Sequence, residues 1–525
     1  MSTGYGSTRA AMLLAASTTA ALLTATGCGP AEQQTPTAAG LPERVRSQSI
    51  AWHDCRGGPE DTVGEQLAAA GALCGEFQAP LDYANPGGRT ITIAVARRAV
   101  PDSARRLGTL VAETGGPGPS REGVALLVDG PQGGHPATAI AERYDLVGMD
   151  PRFFGASTPL ECGWPTGEYL GIAQAAPVDR AGFERTVTTA RALAQRCEPQ
   201  RELLPHASTR AVARDLDLLR TLLGESELSY LGWSWGTYLG AVYLRMFGDR
   251  VDRIVLDSAL DPRAPGADLT RETAGATAAA LADWARWVAA RDDEFGVGAS
   301  QDAVLRGVED TIARIAARPL LIAGVTVTAD MVPGLLLTVD DSDESYADFA
   351  RQVRGLTDAA LGATIEPPPS LAAKLALYSD PSVLGELGFS ATVANQCADR
   401  AARDVDDYFT DITAHLGTEP IFGALARHLT PCAVWPTRPA EPATTISSNH
   451  PALLIGADGD PVAPLAGQLA LRQALPQARS LTLKDAFRHG VYLMDRAPCI
   501  DAAVERYLLE GELPATDAQC ERESD

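Results

Sequence analysis

Positive charge is scarce in this chain of 525 residues. Lys and Arg number 44 against 67 Asp and Glu, a formal net charge of −23. A surface this acidic repels nucleic acid and anionic lipid, so neither is an expected partner. Histidine is scarcer still, at seven. No CxxC pair occurs and no Cys/His cluster has zinc spacing, so no metal site is expected. GxGxxG, Walker and HExxH motifs are all missing, and with them any signal for a cofactor or a zinc-peptidase site. Long hydrophobic runs are also missing. The apolar stretch from Ala11 to Leu23 is interrupted by Ser and Thr and is too short to span a bilayer. Hydrophobic residues nonetheless make up 45% of the chain and charged residues 21%, as in ordinary soluble proteins. The length allows a large core with an inserted domain.

The first 27 residues carry one charged side chain, Arg9, and read as an export signal. The stretch ends in Ala25-Thr26-Gly27-Cys28, which is similar to a bacterial lipoprotein cleavage site, where the cysteine becomes the acylated first residue. That similarity implies a lipid anchor on Cys28 at the cell envelope, on the outer face of the membrane; the alternative is an ordinary secretory signal and a secreted protein. Residues 28–48, rich in Pro, Thr, Ala and Gln, are expected to be a tether. Apart from Cys28 there are eight cysteines: Cys55, Cys74, Cys162, Cys197, Cys397, Cys432, Cys499 and Cys520. An even number suits an oxidising compartment, but residue order alone does not choose among the pairings.

From residue 88 the pattern alternates between strands and helices. Strands are expected at 90–96, 108–112, 144–149, 227–231 and 253–257, with helices at 207–223 and about 236–247. Such alternation predicts a mostly parallel sheet covered by helices on both faces. It stops near residue 262. Residues 263–449 read mainly as helices, at 271–290, 301–317, 345–362 and 401–415. Strand–helix order resumes at 451–456, 464–474, 480–483 and 500–510. The expected organisation is therefore a core in two parts, 49–262 and 450–525, around a helical cap at 263–449.

Between the strand ending at Leu231 and the following helix lies Gly232-Trp233-Ser234-Trp235-Gly236. A GxSxG in a strand–turn–helix setting is the nucleophile elbow of α/β hydrolases, and Ser234 is its nucleophile. A serine needs a histidine base oriented by a carboxylate, in the chain order Ser, acid, His. Of the four histidines after Ser234, His415 and His428 fall in the insertion and His450 precedes a strand. His489 follows one and is the candidate base. The acid is expected after the strand at 451–456, where Asp458 and Asp460 are equally placed by position. The oxyanion hole is assigned to the backbone N–H of Trp235 and of Gly116, in the loop Gly115-Gly116-Pro117-Gly118.

Taken together, Gly115-Gly116-Pro117-Gly118, Asp150-Pro151-Arg152, Gly232 to Thr237, Val255-Leu256-Asp257, Asp460-Pro461-Val462 and His489-Gly490 resemble the tripeptidyl aminopeptidase branch of the prolyl-aminopeptidase-like serine peptidases. The resemblance runs from about Trp52 to Cys520. It implies an α/β-hydrolase fold with a cap and a peptide or protein substrate cut near its free N-terminus. It selects Asp460, which directly precedes Pro, over Asp458. It also implies the pairings Cys55–Cys74, Cys162–Cys197, Cys397–Cys432 and Cys499–Cys520. Ala463 stands where the family usually has Thr. The cap is richer in acidic than in basic residues and is expected to supply a carboxylate for the substrate ammonium, with Asp399 a candidate.

Overall fold

The computed structural model describes residues 40–131, 134–379 and 388–523. The expected signal peptide, Cys28 and the first part of the tether lie outside the described residues. The tether is shorter than expected. Leu41 and Val45, one helical turn apart around the helix Glu43–Arg46, are buried in the main hydrophobic core. Two apolar side chains on one face suffice to dock this segment.

Ten strands form one sheet: β1 (His53–Asp54), β2 (Leu73–Pro80), β3 (Thr90–Arg98), β4 (Gly108–Glu113), β5 (Tyr144–Met149), β6 (Leu228–Trp233), β7 (Val251–Asp257), β10 (Leu453–Ala457), β11 (Arg479–Leu483) and β12 (Ala518–Cys520). The remaining two, β8 (Leu320–Ile322) and β9 (Val325–Val327), make a separate hairpin. The order in the large sheet is β1-β2-β3-β5-β4-β6-β7-β10-β11-β12. Pairing is antiparallel from β1 through β5 and parallel from β5 to β12. The central strands β5 and β6 are buried along their whole length, as strands covered on both faces must be. After β4 the chain turns to one side to make β5, and it later returns on the other side as β6. The order therefore reverses between β4 and β6, and the loops leaving these strands part to form a crevice.

Helices cover the second layer. Residues Ala274–Ala289, Gln301–Ala317, Asp343–Ala360, Pro369–Ser379 and Val405–His415 contribute to one hydrophobic cluster around Trp284, Tyr346, Phe349 and Tyr408. The sequence reading places this layer wholly within 263–449. The packing adds two earlier helices, Thr166–Ala173 and Arg180–Arg196, whose Ile172, Phe183 and Leu193 are buried in the same cluster. The cap is thus built from two excursions of the chain. Local periodicity marks a helix but does not show which core its apolar face joins. The 162–197 excursion is closed at its base by the Cys162–Cys197 disulfide, and Cys55–Cys74, Cys397–Cys432 and Cys499–Cys520 are the other three.

Candidate active site

At the end of β6 the backbone turns sharply. Ser234 has φ 55° and ψ −122°, and the helix Trp235–Phe247 begins at the next residue. A non-glycine residue in this region is strained, and the surrounding bonds hold it there. The Ser234 N–H donates to the Asp257 carbonyl at 3.0 Å. Its own carbonyl accepts from Thr237 N–H at 2.9 Å and Thr237 Oγ1 at 2.6 Å. A Cβ at Gly232 would lie 2.6 Å from the Gly236 carbonyl, so a side chain there would prise the turn open. The loop after β4 reaches the same point. A Cβ at Gly115 would lie 2.6 Å from the Trp233 carbonyl and 2.9 Å from Ser234 Cβ. The Gly116 loop and the Ser234 turn are therefore in van der Waals contact.

That loop is braced from beneath. The Ser120 hydroxyl donates to Glu113 at 2.5 Å, and burial pushes the Glu113 carboxyl well above its usual range. Asp150, from the Asp150-Pro151-Arg152 motif, accepts from Ser120 N–H, Arg121 N–H and Arg121 Nε. Arg152 forms a fully buried pair with Asp215 at 2.7 Å.

β10 and β11 deliver the other two candidates. Strands β6, β7, β10 and β11 are consecutive parallel neighbours, so the loops that leave them share one edge of the sheet. His489 Nδ1 donates to Asp460 Oδ2 at 2.9 Å, with Oδ1 at 3.1 Å. Asp460 Oδ1 also accepts the N–H groups of Val462 and Ala463 at 2.8 and 2.9 Å. The Asp460 carboxylate is thus held by backbone, with no hydroxyl required at position 463. Asp458 faces elsewhere and accepts the N–H groups of Asp485 and Ala486. Burial works against a charged ring at His489, but the hydrogen bond and charge of Asp460, aided by the charge of Asp257, outweigh it. The His489 pKa lies above its ordinary value. The other three histidines that follow Ser234 are placed otherwise. His415 and His428 bond carbonyls of their own segments, and His450 bonds Asp252, at the opposite end of β7 from Ser234.

A tripeptidyl aminopeptidase of Streptomyces lividans is 32% identical over 493 residues, covering 91% of this chain and 87% of the relative. The chain belongs to the tripeptidyl aminopeptidase family. The family model described as TAP-like protein matches residues 419–520, and that described as alpha/beta hydrolase fold matches residues 131–318. Serine protease Hip1 of Mycobacterium tuberculosis is 27% identical, covering 91% of this chain and 92% of the relative. Carboxylesterase B of the same species is 29% identical, covering 94% and 92%. Like the tripeptidyl aminopeptidases, this protein is a serine hydrolase of the peptidase kind with an α/β-hydrolase fold.

In this family member the cap touches the site at two points that sequence reading did not identify. Thr392 Oγ1 donates to the Pro117 carbonyl in the Gly116 loop at 3.1 Å, and His489 N–H donates to the Val339 carbonyl at 3.0 Å. Neither contact has a local signature, because each joins residues more than a hundred positions apart. Asp399 lines a narrow cleft that also reaches Pro117 and Trp235, but it is engaged away from it. Each of its oxygens accepts one bond from Thr209, whose N–H donates at 2.7 Å and hydroxyl at 2.6 Å. Burial pushes its pKa up to about 7. Two other cap carboxylates are paired: Asp411 with Arg271 and Arg403, and Asp268 with Arg403. Among the described residues no cluster of His, Cys, Asp and Glu is arranged to hold a metal.

Proposed function

We propose that this peptidase removes short peptides from free amino termini through an acyl-enzyme on Ser234. The observation that carries the mechanism is the His489–Asp460 pair, delivered by β10 and β11 to the sheet edge where the β6 turn presents Ser234. In the proposed reaction Ser234 Oγ attacks the scissile carbonyl carbon while His489 Nε2 takes its proton. Asp460 holds the Nδ1 proton and stabilises the imidazolium. The N–H groups of Gly116 and Trp235 bind the oxyanion. The imidazolium then protonates the leaving amine, and water, activated by the same histidine, hydrolyses the ester. Room for the acyl part is consistent with a cavity of about 280 Å³ beneath the cap, lined by Tyr169, Leu269, Phe389 and Gln396. It shares Leu269 and Gln396 with the narrow cleft that reaches Pro117 and Trp235.

The test compares one peptide anilide with its N-acetylated form. Acetylation removes the ammonium charge and leaves the scissile bond alone, so the free amine should be cleaved much faster. Equal rates would point to an endopeptidase. Relatedness to carboxylesterase B supports a second reading, an esterase on the same residues. Hydrolysis of p-nitrophenyl esters without any peptide anilide would favour it.

We also propose that the protein is exported and anchored by acylation of Cys28. The signal-like composition of residues 1–27 and the four disulfides support this reading. Among the described residues no helix is long and apolar enough to cross a membrane. Mass spectrometry of protein recovered from the producing cells should find an acylated Cys28 at the mature N-terminus. An unmodified peptide running through Gly27-Cys28 would refute the anchor.

A further inference from the structure

The carboxyl end of β7 carries a residue with no assigned role. Asp257 ends a strand of apolar residues, Ile254-Val255-Leu256, and is fully buried. A buried carboxylate is costly unless donors surround it. Here two come from one loop and the third from the next residue. Its oxygens accept Tyr492 N–H at 2.8 Å, Val491 N–H at 3.1 Å and the Ser258 hydroxyl at 3.0 Å. Ser258 Oγ in turn accepts Gly490 N–H at 2.9 Å. Residues 257 and 258 thus capture the three consecutive N–H groups that follow His489. Ser258 is itself anchored, with φ 58° and its N–H donating to Ile455 of β10. The Asp257 backbone carbonyl meanwhile accepts the Ser234 N–H.

We infer that Asp257 is the positioning residue of this site, its main chain fixing the nucleophile turn and its carboxylate, with Ser258, fixing the loop that carries the base. The inference rests on the reading of Ser234 and His489 as nucleophile and base. One residue on β7 joins two segments more than 250 positions apart, and the separation of Oγ from the imidazole depends on both anchors. The carboxylate also acts through its charge. It raises the His489 pKa alongside Asp460, and His489 is the charged group that acts on Asp257 in return. Burial pushes the Asp257 pKa up to about 6 against its backbone donors.

The experiment uses the whole chain and a fluorophosphonate probe, which phosphonylates an activated serine with loss of fluoride, regardless of peptide preference. The rate of labelling at Ser234 is measured against probe concentration and pH for wild type, Asp257→Asn and Ser258→Ala. Asp257→Asn keeps the shape but places an amide against N–H donors and removes the charge. The limiting rate should fall by about ten- to a hundredfold, as for a misplaced reacting group, with half-saturation unchanged. The acidic limb of its profile should move to lower pH, because a base that has lost one of two raising carboxylates titrates lower. Loss of packing alone would not move that limb downward. Ser258→Ala retains the charge; its rate should fall several-fold with the limb unmoved. It also decides the matter if the Asn variant does not fold. Wild-type limiting rates in the folded variants would overturn the inference while leaving the triad intact. A wild-type protein that does not label at Ser234 would overturn the triad and this inference with it.

Discussion

At Asp460 two carboxylate oxygens serve two directions. Oδ1 is gripped by the Val462 and Ala463 N–H groups, which leaves Oδ2 to face His489. Asp458, two residues earlier, ties the turn after β11. Asp460→Asn should therefore cost on the order of ten-thousand-fold in kcat, because an amide stabilises the wrong histidine tautomer. Asp458→Asn should stay within a few-fold of wild type, read on the same substrate. The opposite ranking would move the acid to Asp458. Asp399→Asn provides a matching control. With Thr209 occupying both oxygens, the ratio of free-amine to N-acetyl peptide cleavage should not change. A collapse of that ratio would restore Asp399 as an amine receptor.

Among the elements, the excursion between Cys162 and Cys197 is one that binds the two layers. Its helices leave the sheet, bury Ile172, Phe183 and Leu193 in the cap, and return to the helix Thr209–Leu222 against the sheet. The disulfide spans 35 residues, and the loop-entropy model assigns such a closure roughly 4 kcal/mol. Replacing both cysteines by Ser should lower the denaturant midpoint accordingly. An unchanged midpoint would show that cap packing alone holds the excursion. Periodicity in the sequence was sufficient for the helices at 301–317 and 343–360 and for β3 to β7, where apolar runs are long. It was insufficient for β2, whose Leu73-Cys74-Gly75-Glu76 lacks a β-branched run and is a strand because it pairs with all of β3 from Arg97 to Thr90.

Across the whole molecule, stability and activity should respond to pH in opposite directions. The carboxyls of Asp257 and Asp399 have folded pKa values raised by burial to about 6 and about 7. For such groups the stabilisation is complete below the unfolded value and is lost as pH rises through the folded one. His489, raised above its ordinary value despite burial, loses its contribution over a window that starts higher. Other carboxyls act in the opposite sense. Asp145 and Asp411 are buried, yet the Val100 N–H for Asp145 and the arginine partners of both lower their pKa. Their stabilisation is present above the unfolded carboxylate value and disappears as pH falls through the folded one. Tm should therefore peak in mildly acidic buffer and decline towards neutral pH. The proposed reaction needs neutral His489, so activity should rise over the range where Tm falls. Tm and kcat/KM measured on one pH series would check this, and coincident maxima would contradict it.

Residue order by itself determined what depends on near neighbours. A serine flanked by glycines two positions away, after a β run and before a helix, is the pattern of a tight strained turn, so the turn at Ser234 was legible. The placing of His489 was legible because a loop that follows a strand lies at the ligand-binding edge of a parallel sheet. The residue pattern left Asp458 and Asp460 level, since both follow β10 within four residues. Family resemblance favoured Asp460, but the direction of each carboxylate depends on the loop after β11. Tertiary structure alone decided that helices 166–196 belong to the cap, that Thr209 occupies Asp399, and that Asp257 spans Ser234 and the His489 loop. Each of these is a contact between residues far apart in the chain. No local propensity encodes such a contact; it exists only once the sheet has brought β6, β7, β10 and β11 side by side.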